Sequence, residues 1–170
     1  VVNLYADTPL AVAGRLVQED LCMLEKPDGA DENLLSAAIL CFPASWTLSE
    51  KMGRPLGAIH GPVPDYDPTM TARVQRLFDA IRPGRPLWRQ NALLYACPDL
   101  YQPRSEAAPR DDTGADTPYL RSERQCLLRL PKTGAIVFSI HTYVLEVTAL
   151  SPEQRAGLAA FPIDHAGHGG

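Results

Sequence analysis

The sequence predicts an α+β fold: a single domain over residues 1–170 in which an antiparallel sheet is covered on one face by helices. Three observations predict it. Leu120–Leu130 and Ala135–Val147 are long strand-like runs, and the turn Pro131-Lys132-Thr133-Gly134 between them makes an antiparallel hairpin. Leu34–Phe42, closed by Pro43, is a dense apolar run that reads as a buried strand in the first half. Between these strand regions the signals are helical, first in short pieces and then in one longer amphipathic stretch.

In chain order, Asp7-Thr8-Pro9 starts a helix, with Asp or Thr as cap and Pro in the first turn. Val12, Leu16, Val17 and Leu21 continue at helical spacing. Gln18–Glu25 is either the end of that helix or a first strand, with Leu21, Met23 and Glu25 on one face and Cys22 and Leu24 on the other. Pro27–Asn33 is a turn-rich loop. Thr47, followed three residues later by Glu50, carries a capping signature. The apolar Leu56–Ile59 run then leads to His60, and Gly61-Pro62-Val63-Pro64 stops it, because proline lacks an N–H and biases its predecessor away from helix. His60 is therefore expected at the end of a short helix. Thr69 or Thr71 begins the longer helix, with Val74, Leu77, Phe78 and Ile81 on one face, and Arg82-Pro83-Gly84-Arg85-Pro86 ends it. Arg89–Ala96 is a strand. Gln102–Thr117 is a polar loop, rich in Pro and Asp, expected to be mobile. Ser151-Pro152-Glu153 caps a last helix, and 165–170 reads as a frayed tail. A first strand region, helices, then three antiparallel strands is the element order of a PAS-type domain, whose helices and sheet enclose a ligand cavity.

Composition narrows the function classes. A net charge of -4 without a basic block argues against nucleic acid, since phosphate neutralisation needs clustered Lys and Arg. No apolar run reaches membrane-spanning length and no signal peptide is visible, so a cytoplasmic protein is expected. Cys22, Cys41, Cys97 and Cys126 lie far apart in apolar settings without a C-x-x-C pair, and read as buried free thiols. Ser49, Ser122 and Ser139 lack a G-x-S-x-G elbow, which disfavours a serine hydrolase. No Walker lysine follows Gly53 or Gly57.

Several side chains have two readings. His60 is either a ligand to a metal or haem iron through its neutral imidazole, or a residue capping the proline-rich loop. His141 shares a strand face with Ser139 and Tyr143, opposite Phe138, Ile140 and Val144, and is expected on the polar side, away from a cavity. Arg121, Glu123, Arg124 and Arg129 crowd one strand, either as ligand-binding groups or as a solvated face of ion pairs. If the Cys126–Leu128–Leu130 side is the core, Arg124 points inward and Glu123 outward unless a bulge intervenes. Lys51 and Arg54 are cations for an anionic ligand or plain helix-surface charges. Trp46 and Trp88 wall a flat ligand or fill the core. Arg89 and Asn91 bind a ligand or fix a loop.

Longer motifs occur in a consistent order: Gln18-Glu19-Asp20-Leu21, Phe42-Pro43, Trp46, Lys51, Gly53, Ile59-His60-Gly61-Pro62-Val63-Pro64, Trp88-Arg89-Gln90-Asn91, Leu120–Pro131 and Phe138–Val144. Across Gln18 to Val147 the chain resembles the haem-dependent oxidative N-demethylase alpha-subunit-like family. The resemblance implies a PAS-like fold binding haem b, with oxidative removal of a methyl group from a small methylated amine. That reaction uses O2 and an external reductant, and formaldehyde leaves. Electrons would come from flavin and iron–sulfur reductase subunits. On this reading His60 is the axial iron ligand, while Lys51, Arg54, Arg121 and Arg124 are candidates for the haem propionates. Glu123 is the catalytic candidate, for a substrate ammonium or for proton delivery. The alternative is a non-catalytic haem or small-ligand sensor, or an interaction domain, on the same fold.

Overall fold

A computed structural model of the chain describes residues 8–60, 68–108 and 117–163. The element order is α1 (Pro9–Leu16), β1 (Asp20–Glu25), β2 (Leu34–Ile39), α2 (Leu48–Lys51), α3 (Leu56–His60), α4 (Pro68–Ala80), β3 (Leu87–Tyr95), β4 (Tyr119–Arg129) and β5 (Ile136–Glu146). A 3-10 turn, Val147–Ala149, and α5 (Pro152–Ala160) follow. The five strands form one sheet in the order β2-β1-β5-β4-β3, and every neighbouring pair is antiparallel. The α+β expectation holds. The ambiguous Gln18–Glu25 stretch resolves as a strand, because α1 stops at Leu16 and Val17 is extended.

Register defines two faces. On the inner face Cys22 lies opposite Phe138, which lies opposite Leu127. Cys22 and Leu24 form the core with Leu35, Leu56, Phe78, Ile81 and Ile136, and Trp46, Ile59 and Val74 pack against it. Helices α2, α3 and α4 thus supply the lid of the core. At the outer face Gly14 of α1 lies against the Ile39 side chain. Trp88, also on that face, is 69% exposed, so it walls no inner cavity.

Three local details depart from the sequence pattern. Leu77 is exposed, and Gln75 occupies the buried stripe of α4 instead. Gln75 is satisfied there by a reciprocal amide pair: Asn33 N donates to Gln75 Oε1 at 3.0 Å, and Gln75 Nε2 donates to Asn33 Oδ1 at 2.9 Å. Thr47 stands at the N-cap of α2 without capping it; its hydroxyl donates to Arg104 O at 2.9 Å. The four cysteines are free, but only Cys22 is buried. The expected Ser151 cap is present, as a full capping box with Gln154.

Residues 102–108 of the polar loop dock on α2. Ser105 Oγ donates to Glu50 Oε1 at 2.7 Å, and Glu106 N donates to Glu50 Oε2 at 3.0 Å. Residues 61–64, behind His60, the loop over 109–116, and His165 and His168 of the tail lie outside the described residues. Among the described residues no helix is long and apolar enough to cross a membrane.

Candidate functional site

The position of His60 begins at the edge of β2. Gly53 N donates to Leu35 O at 2.8 Å, Leu35 N to Arg54 O at 3.1 Å and Leu56 N to Asn33 O at 3.0 Å. The turn that permits this docking needs Gly53, whose φ of 73° is a left-handed conformation that other residues rarely adopt. From there α3 carries the chain to His60, and Glu32 accepts from Gly57 N at 2.6 Å in its first turn. The His60 ring is part-buried, with Nδ1 2.9 Å from Leu56 O. A carbonyl only accepts, so Nδ1 carries the proton and the lone pair sits on Nε2. Burial pushes the imidazole below its usual range, against the Leu56 bond; the positive charges of Lys51 and Arg89 push it down further. Both effects favour the neutral imidazole, whose free lone pair is a nitrogen donor.

Beyond the Cys22–Phe138–Leu127 row the inner face turns polar. Successive rows across the sheet read Asp20–Ile140–Gln125–Arg89, then Thr142–Glu123–Asn91, then Val144–Arg121–Leu93. Arg89 Nε donates to Gln125 Oε1 at 2.7 Å. Gln125 Nε2 donates to Glu123 Oε2 at 3.1 Å, and Asn91 Nδ2 reaches the same oxygen at 3.5 Å. Arg121 Nε lies 3.5 Å from Glu123 Oε1. A continuous polar row thus joins β3 to the middle of β4.

Arg121 is 2% exposed, and its terminal nitrogens clamp three backbone carbonyls: Phe42 O at 2.7 Å, Leu100 O at 3.2 Å and Asp99 O at 3.4 Å. Its guanidinium also lies over the Tyr95 ring, 5.6 Å from the centroid. Burial raises the Tyr95 phenol above its usual range. Asp20, 1% exposed, holds the bend after β2 by accepting from Cys41 N at 2.6 Å and Phe42 N at 2.9 Å. Burial still wins over those bonds, and the charge of Glu123 adds to it, so the Asp20 carboxyl stands above its usual range.

The structure separates the residues expected here. Arg121 and Glu123 lie on the inner face, and His60 lies within reach of the charges of Lys51 and Arg89. The face assignment of β4 is reversed: the Glu123 side is inner, while the Arg124 side chain is about half exposed on the outer face, paired with Glu19 Oε1 at 3.2 Å. The core follows Gln125 and Leu127; Leu128 is exposed. The physical reason is that the inner cations are consumed by carbonyls, which no sequence pattern displays. Arg129, for example, donates to Ile81 O, Phe78 O and Gly134 O. Lys51 is buried, donating to Ile59 O at 2.7 Å and pairing closely with Glu106. Arg54 joins the same carboxylate at 3.2 Å. The Lys51 bond is the main reason Glu106 stays below the usual carboxylate range. His141 is on the outer face, its ring tilted at 44° against that of Tyr143 with centroids 4.6 Å apart, and its Nδ1 is 3.8 Å from Glu19 Oε1. Sequence reasoning missed Asp20, Glu106 and Thr142. The signal for Asp20 was available: it shares the strand face of Cys22 and Leu24, where an acid needs partners.

The family model for haem-dependent oxidative N-demethylase, alpha subunit-like, matches residues 2–165. The chain belongs to this family. The family description makes haem dependence and the company of other subunits the relevant test for these side chains. His60 fits a haem iron by its chemistry: a neutral imidazole with Nδ1 fixed on a backbone carbonyl and the lone pair on Nε2. For a carboxylate of the macrocycle Arg89 fits better than Lys51 or Arg54. Those two already share Glu106, whereas among the described residues only the Nε of exposed Arg89 is hydrogen-bonded.

Proposed function

We propose that the chain is a PAS-like haem b domain that oxidatively removes a methyl group from a small methylated amine. The strand order β2-β1-β5-β4-β3, with helices between β2 and β3, supports the PAS-like reading. The observation that carries the functional reading is His60, its tautomer fixed by Leu56 O, in a chain of this family. The balance is an amine N-methyl group and O2, with two electrons and two protons, giving the demethylated amine, formaldehyde and water. Haem, when bound, supplies the oxygen-activating redox chemistry.

The protein's own part is positional and electrostatic. His60 would hold the haem iron through Nε2. Arg89 offers its terminal nitrogens to a propionate, a role in which it replaces Arg54, Lys51 and the outward-facing Arg124. Arg121 positions Glu123 and the wall of the site through its three carbonyls. Glu123 is the catalytic residue of this reading: a carboxylate on the inner face, oriented by Gln125 and Asn91, that accepts a proton from solvent and passes it inward. Electrons come from flavin and iron–sulfur reductase subunits, in the cytoplasm.

The test is optical. Haem titrated into the purified chain gives a Soret band, which is lost in His60→Ala and kept in His141→Ala. A colourless wild-type protein, or a band that survives in His60→Ala, overturns the ligand assignment. A stable band without formaldehyde, given reductant and dimethylamine or a similar amine, supports a sensor on the same fold instead.

A further inference from the structure

Two buried polar atoms on the inner face have no hydrogen-bond partner among the described residues: Arg121 Nε and Thr142 Oγ1. They belong to neighbouring rows of the same face. Thr142 lies directly opposite Glu123, and Arg121 Nε is 3.5 Å from Glu123 Oε1. Directly opposed residues of an antiparallel pair hold their Cβ atoms about 5 Å apart. The Arg121 Nε and the Thr142 side chain thus both neighbour the Glu123 position. One is an N–H donor, one is a hydroxyl able to donate or accept, and the carboxylate oxygen accepts. Both orphan side chains are more than nine-tenths buried, Arg121 at 2% and Thr142 at 4% exposure.

The backbone explains an approach to that point from outside. Pairing of β1 with β5 ends at Asp20 and Ile140, so Thr142 and the residues after it have no strand on that edge. An open groove of about 630 Å³ occupies the edge, bounded by Gln18, Leu100, Tyr119, Thr142 and Val144. Arg121 itself fixes one wall, through Leu100 O. The groove reaches Thr142 from one side, while on the other side Glu123 is bonded to Gln125, and Gln125 to Arg89.

We propose that Arg121 Nε, Thr142 Oγ1 and Glu123 seat an ordered water molecule at the floor of the groove, and that this water is the route by which protons reach Glu123 from solvent. Its three partners match one water: it accepts from Arg121, exchanges a hydrogen bond with Thr142 and donates to Glu123. The proton moves along hydrogen bonds already in place, from groove solvent to the seated water and on to the Glu123 carboxylate, with no other bond made or broken. The charged and titratable groups around the seat are Arg121 and Glu123 of β4, Asp20 of β1, Tyr95 of β3 and Arg104 of the loop over 102–108. Thr142 is thus a positioning residue. The seat stands on the geometry alone; its use as a proton route rests on the reading of Glu123 given above.

The experiment compares the full chain with Thr142→Val, which keeps the shape and removes the hydroxyl, and Thr142→Ser, which restores it. High-resolution crystal structures are expected to show a water bonded to Arg121 Nε in the wild type and in Thr142→Ser, and none in Thr142→Val. Water relaxation dispersion in solution is expected to count one fewer long-lived buried water in Thr142→Val. A dry seat in the wild type, or a water unmoved by the valine, overturns the proposal. If the valine variant does not fold, the wild-type structure alone decides between a seated water and a dry seat. In the haem-loaded protein the valine variant is expected to lose about tenfold in kcat with KM unchanged, rescued by serine; an unchanged kcat overturns the proton route. Haem uptake is scored separately, so failure of the demethylase reading leaves the water measurement interpretable.

Discussion

The inner face of the sheet has two halves that are stabilised in opposite ways. In one half Cys22, Leu24, Phe138, Ile136 and Leu127 meet the apolar faces of α2, α3 and α4. Burial there is non-directional, and the free energy follows the area removed from water. In the other half, starting one row higher at Asp20 and Gln125, the buried groups are an Asp, an Arg, a Gln and a Thr. Burying any one of these is unfavourable until its partners are in place. The difference teaches where function can sit. An apolar row tolerates any shape that fills it, whereas a polar row fixes the direction of every hydrogen bond, which is what holding a cofactor and moving protons require. His60 is in reach of the charge on Arg89, which belongs to that second half.

The largest way to break this contrast lies in the apolar half. Phe78 is 6% exposed at the centre of the core cluster. Phe78→Ala is expected to cost about 3–5 kcal/mol, the sum of lost transfer energy and the cavity left behind. Urea unfolding checks it: the midpoint falls while the slope stays the same. The variant should change stability uniformly across pH, since nothing titratable is touched.

The polar half responds differently. Asp20→Ala leaves the N–H groups of Cys41 and Phe42 without their acceptor, at a cost of about 2–4 kcal/mol. Asp20→Asn keeps an acceptor oxygen, and its stability is expected to lie close to the wild type. The two also separate by pH. Because the folded Asp20 carboxyl is raised, the protonated form is favoured in the fold; this contribution is fully present below the ordinary carboxylate range and is lost as pH rises through the folded value. Wild type should therefore gain stability, relative to Asp20→Asn, as pH falls from neutrality towards about 4. A difference between the two that is flat across that window removes the burial argument for Asp20.

His60 gives the opposite sign and a smaller effect. Its folded imidazole is lowered by burial, so the neutral form is favoured, and the stability it contributes is present above the ordinary histidine value and lost as pH falls through the folded one. In the haem-free chain, an acid-side decline in stability below about pH 6.5 should be shallower in His60→Gln than in wild type. Equal slopes mean that the ring is not buried as described.

How much of this was legible in the sequence also divides along the two halves. Alternation placed Phe138 and Ile140 on the core side, and the Pro131–Gly134 turn fixed the hairpin, because apolar faces and turns announce themselves locally. The helix that carries His60 followed from the apolar Leu56–Ile59 run before it. The polar half left two readings open for a physical reason. Arg121 and Arg129 read equally as ligand-binding groups or as a solvated face, and only the tertiary fold supplies the carbonyls of Phe42, Asp99, Leu100, Phe78 and Ile81 that they bond. Glu50 was read as the partner of Thr47 and is used instead by Ser105 and Glu106, far along the chain. Long-range partners of this kind leave no periodic trace.

The smallest expected effect is the sharpest test of the face assignment on β4. Arg124 and Arg121 are three residues apart on one strand, carry the same charge and were both candidates for a bound carboxylate, with alternation pointing Arg124 inward. The structure gives them opposite surroundings: Arg121 is fully enclosed by carbonyls and the Tyr95 ring, whereas Arg124 makes a solvent-exposed pair with Glu19. An exposed pair gains little, since water and salt screen it and two long side chains must be ordered to make it. Arg124→Ala is therefore expected to change unfolding free energy by about 0.5 kcal/mol or less, with the difference shrinking further in high salt, and to leave haem uptake unchanged. A loss of haem affinity in Arg124→Ala, with Arg89→Ala silent, would put the ligand on the outer face and undo the division of the sheet on which the site is built.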